Sequence, residues 1–445
     1  MAGILAERLA QAQNLWQLTR LLLAEVRARA PAEGSPRRQN DERYIAWSRL
    51  AAVVVDYFDQ RDPALDDEAR RQVITWTANG GDVDSLDAVA WGVDVVGAEG
   101  FASAWRDECL TAGDSRHRLV ADELYPVSDA ARELFPGLPL SSRPASLSRT
   151  APDELPHVRV HHDAGYDVFI DFSRDRELEH VAAGLRVLAA AHPNQSPAEF
   201  VFERPVPEIV FPVHLASEAG QEERLVALIE RALSAGAGII VLPELAATAG
   251  AEAKVRALLD EGESQHLVVL GSRHVGTGQN AHNLALALTP ECGDPIVHTK
   301  IIPFSDELRL AAPWKEGIAT PERPELTVYQ ADRFRFCILI CKDFLDRTVT
   351  AAVARLGVNV LCVPAMSEKT SSYPLRVGQL VADAQAIVVV ANNPLEWGAG
   401  LVDPAAIFGQ PVAGHEAVLS PGADSIAAPA LSLLRLGDSA VTVAV

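Results

Sequence analysis

Lysine is nearly absent from this chain of 445 residues. Only Lys254, Lys300, Lys315, Lys342 and Lys369 occur, and arginine supplies the remaining positive charge. A lysine at the end of an apolar run therefore carries more information here than usual. Positive charge as a whole is short, with a formal net charge of -21, so the surface repels phosphates and anionic lipid. Nucleic acid is not expected as a partner. The clusters Arg27, Arg29, Arg37, Arg38 and Arg70, Arg71 read as solvated helix faces.

Cysteine is also scarce. Cys109, Cys292, Cys337, Cys341 and Cys362 form an odd set without a CxxC pair, which argues against a disulfide framework and a zinc knuckle. A reducing cytoplasm is the expected setting. Long apolar runs are missing too: IIVL and AIVVVA fall far below the ~18 residues that span a bilayer. The opening MAGILAERLAQAQNLWQLTRLLLAEVRARA breaks its apolar residues with charges at helical spacing and reads as an amphipathic helix, not a signal peptide. Neither standard Gly-rich phosphate loop is present, and the adjacent His161 and His162 would face opposite sides of a strand, so no metal or organic cofactor is expected.

What is present suits a packed multidomain protein, with 48% hydrophobic and 22% charged residues. Residues 1–136 place apolar side chains at spacings of three and four, as in LWQLTRLLLAEV, YIAWSRLAAVVVDYF, EARRQVITWTA and LVADELYPVSDAARELF, and predict a helical domain. Trp76, Trp91 and Trp105 read as its core. Residues 137–156 are rich in Pro and Ser and read as a linker. Residues 157–204 hold a strand-like YDVFIDF and a helix-like RELEHVAAGLRVLAAAH, read as a bridging α/β segment. From 205 to 445 buried strands alternate with helices: EIVFPVHL, QEERLVALIERALSAG, GIIVLPEL, KVRALLDEG, HLVVLGSRHV, then NLALALT, TVYQADRFRFCILIC, VNVLCVPA and AIVVVANN. This alternation predicts an α/β sandwich.

Three of these segments run from a buried strand into a polar residue: GIIVLPEL into Glu244, PIVHTKIIPF into Lys300, and FRFCILICKDF into Cys341. Strand ends in α/β folds face the crevice where ligands bind. A thiol needs a base and a nearby cation to attack an unreactive carbonyl or nitrile carbon. Glu244 can take the thiol proton and later activate water, while Lys300 can stabilise the developing oxyanion. The lysine charge is expected to favour thiolate, and an ionised Glu244 to oppose it.

The order Glu, Lys, Cys on separate strands resembles the nitrilase superfamily of carbon-nitrogen hydrolases, carried by LPEL, TKIIPFSDE and ILICKDF, with VNVLCVPA and AIVVVANN following in the family's order. The resemblance implies a four-layer α-β-β-α sandwich, preceded here by the mainly helical domain. It also implies a fourth site residue, Glu307, orienting the lysine and the substrate. Asp343, two residues after Cys341, matches a Cys-x-Asp form similar to amidase and carbamoylase branches. The loop AATAG after Glu244 and Lys342 depart from the family's usual aromatic residues. The expected activity is hydrolysis of an amide or carbamoyl C-N bond through a cysteine thioester, in a homo-oligomer. The appended helical domain supports a second reading, a regulated effector or scaffold in which residues 1–136 bind a protein partner, for example in a defence system.

Overall fold

The computed structural model describes residues 2–29, 42–60, 65–80, 82–127, 154–193, 195–261, 266–290, 293–306, 314–367, 371–393, 404–414, 416–420 and 429–444. The chain forms two compact units, with the division after Asp163.

The first unit is mainly helical: α1 (Ala2–Ala10), α2 (Leu15–Arg29), α3 (Glu42–Asp59), α4 (Asp67–Gly80) and α5 (Val83–Thr111). Asp82 starts α5 by accepting a hydrogen bond from the Ser85 backbone N–H at 2.7 Å, which satisfies one of the helix's free donors. Trp16, Leu22, Val54, Phe101 and Trp105 are buried in this unit. At Gly92 a Cβ would meet the Val54 side chain at 2.6 Å, so this glycine lets α3 and α5 approach closely. The helix read into LVADELYPVSDAARELF is not formed over residues 119–127. Instead β1 (Leu124–Pro126) pairs antiparallel with β2 (Val158–Val160). Asp122 turns the chain at φ +66, and Pro126 cannot extend a helical ladder. Most of the linker read at 137–156 lies outside the described residues.

The second unit runs β3 (Asp167–Asp171), α6 (Asp175–Gly184), β4 (Val187–His192), α7 (Glu218–Ser234), β5 (Ala237–Val241), α8 (Ala249–Glu261), β6 (Leu267–Val275), β7 (His282–Leu288) and β8 (Ile296–Thr299). It continues with β9 (Glu325–Gln330), β10 (Arg335–Ile338), α9 (Arg347–Arg355), β11 (Val360–Ala365), α10 (Ser372–Ala384), β12 (Ile387–Asn392), β13 (Ala406–Gly409), β14 (Val418–Leu419), β15 (Ala430–Arg435) and β16 (Thr442–Ala444). One sheet orders β3-β9-β10-β11-β12-β13-β14 and the other β8-β7-β6-β5-β4-β15-β16. Both are mixed: β10, β11 and β12 run parallel, as do β4, β5 and β6, and antiparallel strands flank them.

The sheets face each other, β12 against β4 and β6 against β11. On the outer side of the second sheet, Leu225, Leu228 and Ile229 of α7 and Val255 and Leu259 of α8 join Ala189, Ile240 and Val268 in one apolar cluster. Helix α10 covers β12 and β13, and α9 lies beside it. The result is the expected α-β-β-α sandwich, in which central strands are covered on both faces and so read as unbroken apolar runs such as VLCVPA.

Three local readings become specific, and one of them changes in part. The segment 157–204 contributes β3 and β4, one strand to each sheet. Within it RELEHVAAG is helical but LRVLAAAH is not, because β4 is buried between β5 and β15 and this position overrides alanine's helical preference. TVYQADRFRFCILIC forms two antiparallel strands, β9 and β10, joined by a turn. Among the described residues no helix is long and apolar enough to cross a membrane.

Candidate active site

Glu244 is delivered by β5. Past Val241 the chain turns sharply at Leu245, which holds φ +61. Such a left-handed conformation costs a non-glycine residue about 1–3 kcal/mol and persists only where its surroundings enforce it. Here Leu245 N donates to Ser272 Oγ at 3.1 Å and Ala247 N to Ser272 O at 3.0 Å. A bulge in β6 between Val269 and Ser272 aims Ser272 at this turn. Gly271 makes the bulge possible at φ +80, since a Cβ there would stand 1.9 Å from the Pro243 carbonyl oxygen.

Lys300 follows β8, and its backbone N–H donates to Asn283 O at 2.9 Å. Its buried ammonium donates to Glu244 Oε1 at 2.7 Å and to Glu316 Oε2 at 2.6 Å. Asn283 of β7 sends its two amide protons to the same pair, Glu244 Oε1 and Glu316 Oε1, each at 2.9 Å. Glu316 also accepts from Phe304 N at 2.9 Å and meets His274 Nε2 at 2.9 Å. Val213 N donates to His274 Nδ1 at 2.9 Å. An N–H can only donate, so Nδ1 is an acceptor and the ring proton sits on Nε2, facing Glu316. The Phe211 ring stacks on His274 at 4.8 Å.

Two carboxylates sharing one ammonium do not behave alike. Burial acts to raise the pKa of Glu316, but Lys300 and the hydrogen bond from His274 outweigh it and hold the carboxyl well below the usual range. Glu244 has fewer donors. Burial raises it, Glu316 adds to this, and Lys300 opposes without reversing it. Burial also works against the charge of Lys300, yet Glu244 and Glu316 together hold its pKa well above normal. Glu316 is thus a fixed anion and Glu244 the group placed to exchange a proton, since environments that separate two carboxyl pKa values separate their roles.

Cys341 lies just past β10 at φ +46, like Leu245 a non-glycine residue at positive φ. Its N–H donates to Pro364 O at 2.9 Å and Leu339 N to Cys362 O at 3.1 Å, so the strand end stays paired up to the thiol. The buried sulfur lies 3.4 Å from Tyr373 Oη and acts on Glu244 as a hydrogen-bond donor. Burial first, then Glu244, pushes the thiol up to about 12, against Lys300 and the Tyr373 hydrogen bond. Lys300 favours thiolate and Glu244 opposes it, in the directions expected, but desolvation outweighs the lysine and the thiol rests protonated.

Asp343 is fully buried and lies away from the thiol. Its Oδ1 accepts from Ile301 N at 3.0 Å and Ile302 N at 2.7 Å, and its Oδ2 from Ile340 N at 3.3 Å, with His298 Nε2 at 3.2 Å. One carboxylate therefore ties the turn after Lys300 to the turn before Cys341. Cys337 and Cys362 are buried apolar filler in β10 and β11.

Of the four residues singled out in the sequence, Glu244, Lys300 and Cys341 are brought together, and Glu307 lies outside the described residues. The second carboxylate on the lysine is Glu316, from the short strand Trp314–Glu316. Sequence reasoning passed over Glu316, Asn283, His274 and Tyr373. The signal for Asn283 and His274 was a polar end on each of two strands that are otherwise apolar runs, HNLALAL and LVVLGSRHV.

No protein-family model and no curated protein matches this chain. Among solved structures, an amidase from Nesterenkonia sp. overlaps 57% of this chain and 92% of its own, at 16% identity and a TM-score of 0.42. Saccharomyces cerevisiae Nit3, a member of branch 10 of the nitrilase superfamily, overlaps 56% of this chain and 90% of its own, at 14% identity and a TM-score of 0.40. A mutant of the Nesterenkonia sp. AN1 amidase, showing Michael addition of acrylamide at its active site cysteine, overlaps 57% and 94% at 16% identity and a TM-score of 0.41. The N-terminal helical region lies outside these overlaps.

Proposed function

We propose that the second unit is a cysteine-dependent hydrolase of non-peptide C-N bonds, of the nitrilase-superfamily amidase type, acting on an amide or carbamoyl substrate. The observation that carries this reading is a buried Lys300 held at 2.7 and 2.6 Å between two carboxylates, beside a thiol at a strained strand end. Glu244 takes the Cys341 proton as the sulfur electron pair attacks the substrate carbonyl carbon. Lys300, whose charge Glu316 maintains, stabilises the oxyanion. The tetrahedral intermediate collapses, the C-N bond breaks, and the leaving nitrogen takes the proton from Glu244. The thioester is then hydrolysed by water, whose proton Glu244 accepts before returning a proton to the departing sulfur.

Ammonia or amine release from a panel of amides, ureas and nitriles tests the reaction, and mass spectrometry of trapped enzyme tests the acyl adduct on Cys341. Cys341→Ala should abolish both while leaving the fold intact. Full turnover by that variant would end the proposal. The first unit has its own buried core, with Trp16, Phe101 and Trp105, and the second reading assigns it to binding a protein partner. Capture of one specific partner by full-length protein, lost when exposed first-unit residues such as Ile4 and Val53 are charged, tests that role.

A further inference from the structure

We propose that Tyr373 is a further catalytic residue, whose phenol donates a hydrogen bond to the Cys341 sulfur and holds the negative charge there as the thiol proton leaves. This rests on the hydrolase reading above. Tyr373 enters α10 fully buried, with its ring stacked on Phe344 at 5.7 Å. Phenylalanine would fill that space equally well, and burying a hydroxyl is unfavourable unless it is hydrogen-bonded. The hydroxyl meets Cys341 Sγ at 3.4 Å and the Ser367 side chain.

The direction of each bond follows from donor and acceptor rules. A carboxylate only accepts, so a thiol proton handed toward Glu244 leaves a sulfur lone pair for the Tyr373 O–H at 3.4 Å. Ser367 in turn donates to Tyr373 Oη. Ser367 is itself clamped: its N–H donates to Asn392 Oδ1 at 2.8 Å and its carbonyl accepts from Asn392 Nδ2 at 3.0 Å. Asn392 at the end of β12 thus fixes the Ser367 backbone in both directions, and the directed bonds run from the Ser367 side chain through Tyr373 to the sulfur. The charged or titratable groups acting on that sulfur are Glu244, which opposes thiolate, and Lys300 and Tyr373, which favour it.

In the attack step the S–H bond breaks, the proton moves to Glu244, and the sulfur pair forms the bond to carbon. Tyr373 keeps its own proton throughout. Its hydrogen bond strengthens while the sulfur is charged and weakens once the thioester forms, so it acts on the barrier more than on substrate binding.

The test is Tyr373→Phe in the full chain, with the iodoacetamide alkylation rate of Cys341 resolved by peptide mass spectrometry from pH 7 to 10, alongside kcat and KM. Loss of one hydrogen bond to a charged sulfur should slow alkylation roughly tenfold to a hundredfold at a given pH, move its profile to higher pH, and lower kcat with little change in KM. Ser367→Ala, which leaves the phenol in place but unoriented, should shift the profile the same way by less. An alkylation profile and kcat unchanged in Tyr373→Phe, in protein whose wild-type form is acylated at Cys341, would overturn the Tyr373 assignment alone. Wild-type protein never acylated by any amide, nitrile or carbamoyl compound would overturn the hydrolase reading and this role with it.

Discussion

Asp343→Asn changes one atom in a residue that touches neither the thiol nor the lysine, and it should nevertheless loosen both. The carboxylate accepts from the N–H groups of Ile301 and Ile302 on one oxygen, and from Ile340 N–H and His298 on the other. An asparagine amide has one acceptor side. Its better orientation keeps the oxygen on Ile301 and Ile302 and turns the amino group to His298, which can accept in its other tautomer. Ile340 N–H is then left facing another N–H in a buried site. An orphaned buried donor costs about 1–3 kcal/mol, and the reverse orientation orphans two, so about 1–3 kcal/mol is the expected loss. Total stability of a domain is about 5–15 kcal/mol, so the fold should survive while the two turns open more often. Amide hydrogen exchange, read on peptides spanning 296–306 and 336–345, should accelerate at Ile340 first, and turnover should fall at least roughly tenfold as Cys341 and Lys300 lose their fixed separation. Exchange and turnover equal to wild type in Asp343→Asn would refute the claim that this carboxylate joins the turns that carry Lys300 and Cys341.

Gly271→Ala should destabilise by about 3 kcal/mol or more, because the new Cβ meets Pro243 O at 1.9 Å at a φ of +80, whereas Gly220→Ala, with open space in α7, should be neutral or stabilising in the same urea titration. Glu316→Gln removes the charge that raises Glu244, so the acid limb of kcat/KM should move to lower pH while kcat falls; a limb that stays in place would disconnect the two carboxylates. His192 is buried neutral, with burial holding its pKa at about 4 against an unfolded value near 6.5. The unfolded chain binds the proton first, so stability is lost as pH falls from about 6.5 to about 4, by at most about 3 kcal/mol. His192→Gln should flatten that part of the stability curve, and urea midpoints at pH 7 and 4.5 for both proteins provide the check.

The fold was legible where burial is continuous along the chain. β11 and β12 lie between layers, so every residue is covered and the sequence shows an unbroken apolar run. It was misread where local preference and position disagree. The alanines of LRVLAAAH favour a helix in isolation, but between β5 and β15 small side chains suit a central strand packed face to face with β12. Leu124–Pro126 failed for a related reason: apolar spacing predicted helix, but a turn at Asp122 and pairing with Val158–Val160 decided the backbone.

The site divides along the same physical line. Glu244 and Cys341 each follow a fully buried strand and Lys300 follows the half-buried edge strand β8, and a polar residue just past an apolar run is visible without knowing what it faces. Glu316 has no such flank. It lies in PWKEG, on a strand of three residues, and looks like any surface acid until β6, β7 and the turn at Phe304 bring His274, Asn283 and a backbone N–H to it. Its role is therefore a property of three-dimensional convergence. That convergence also accounts for what a second carboxylate does here. Burial is the first cause that raises Glu244, and Lys300 works against it. Adding Glu316, with four hydrogen bonds to fix its charge, gives the cluster one negative charge in excess and puts the resulting strain on Glu244, the only member with few enough donors to take up a proton. The thiol rests protonated with a pKa of about 12, and a base raised by its neighbours is what such a thiol requires.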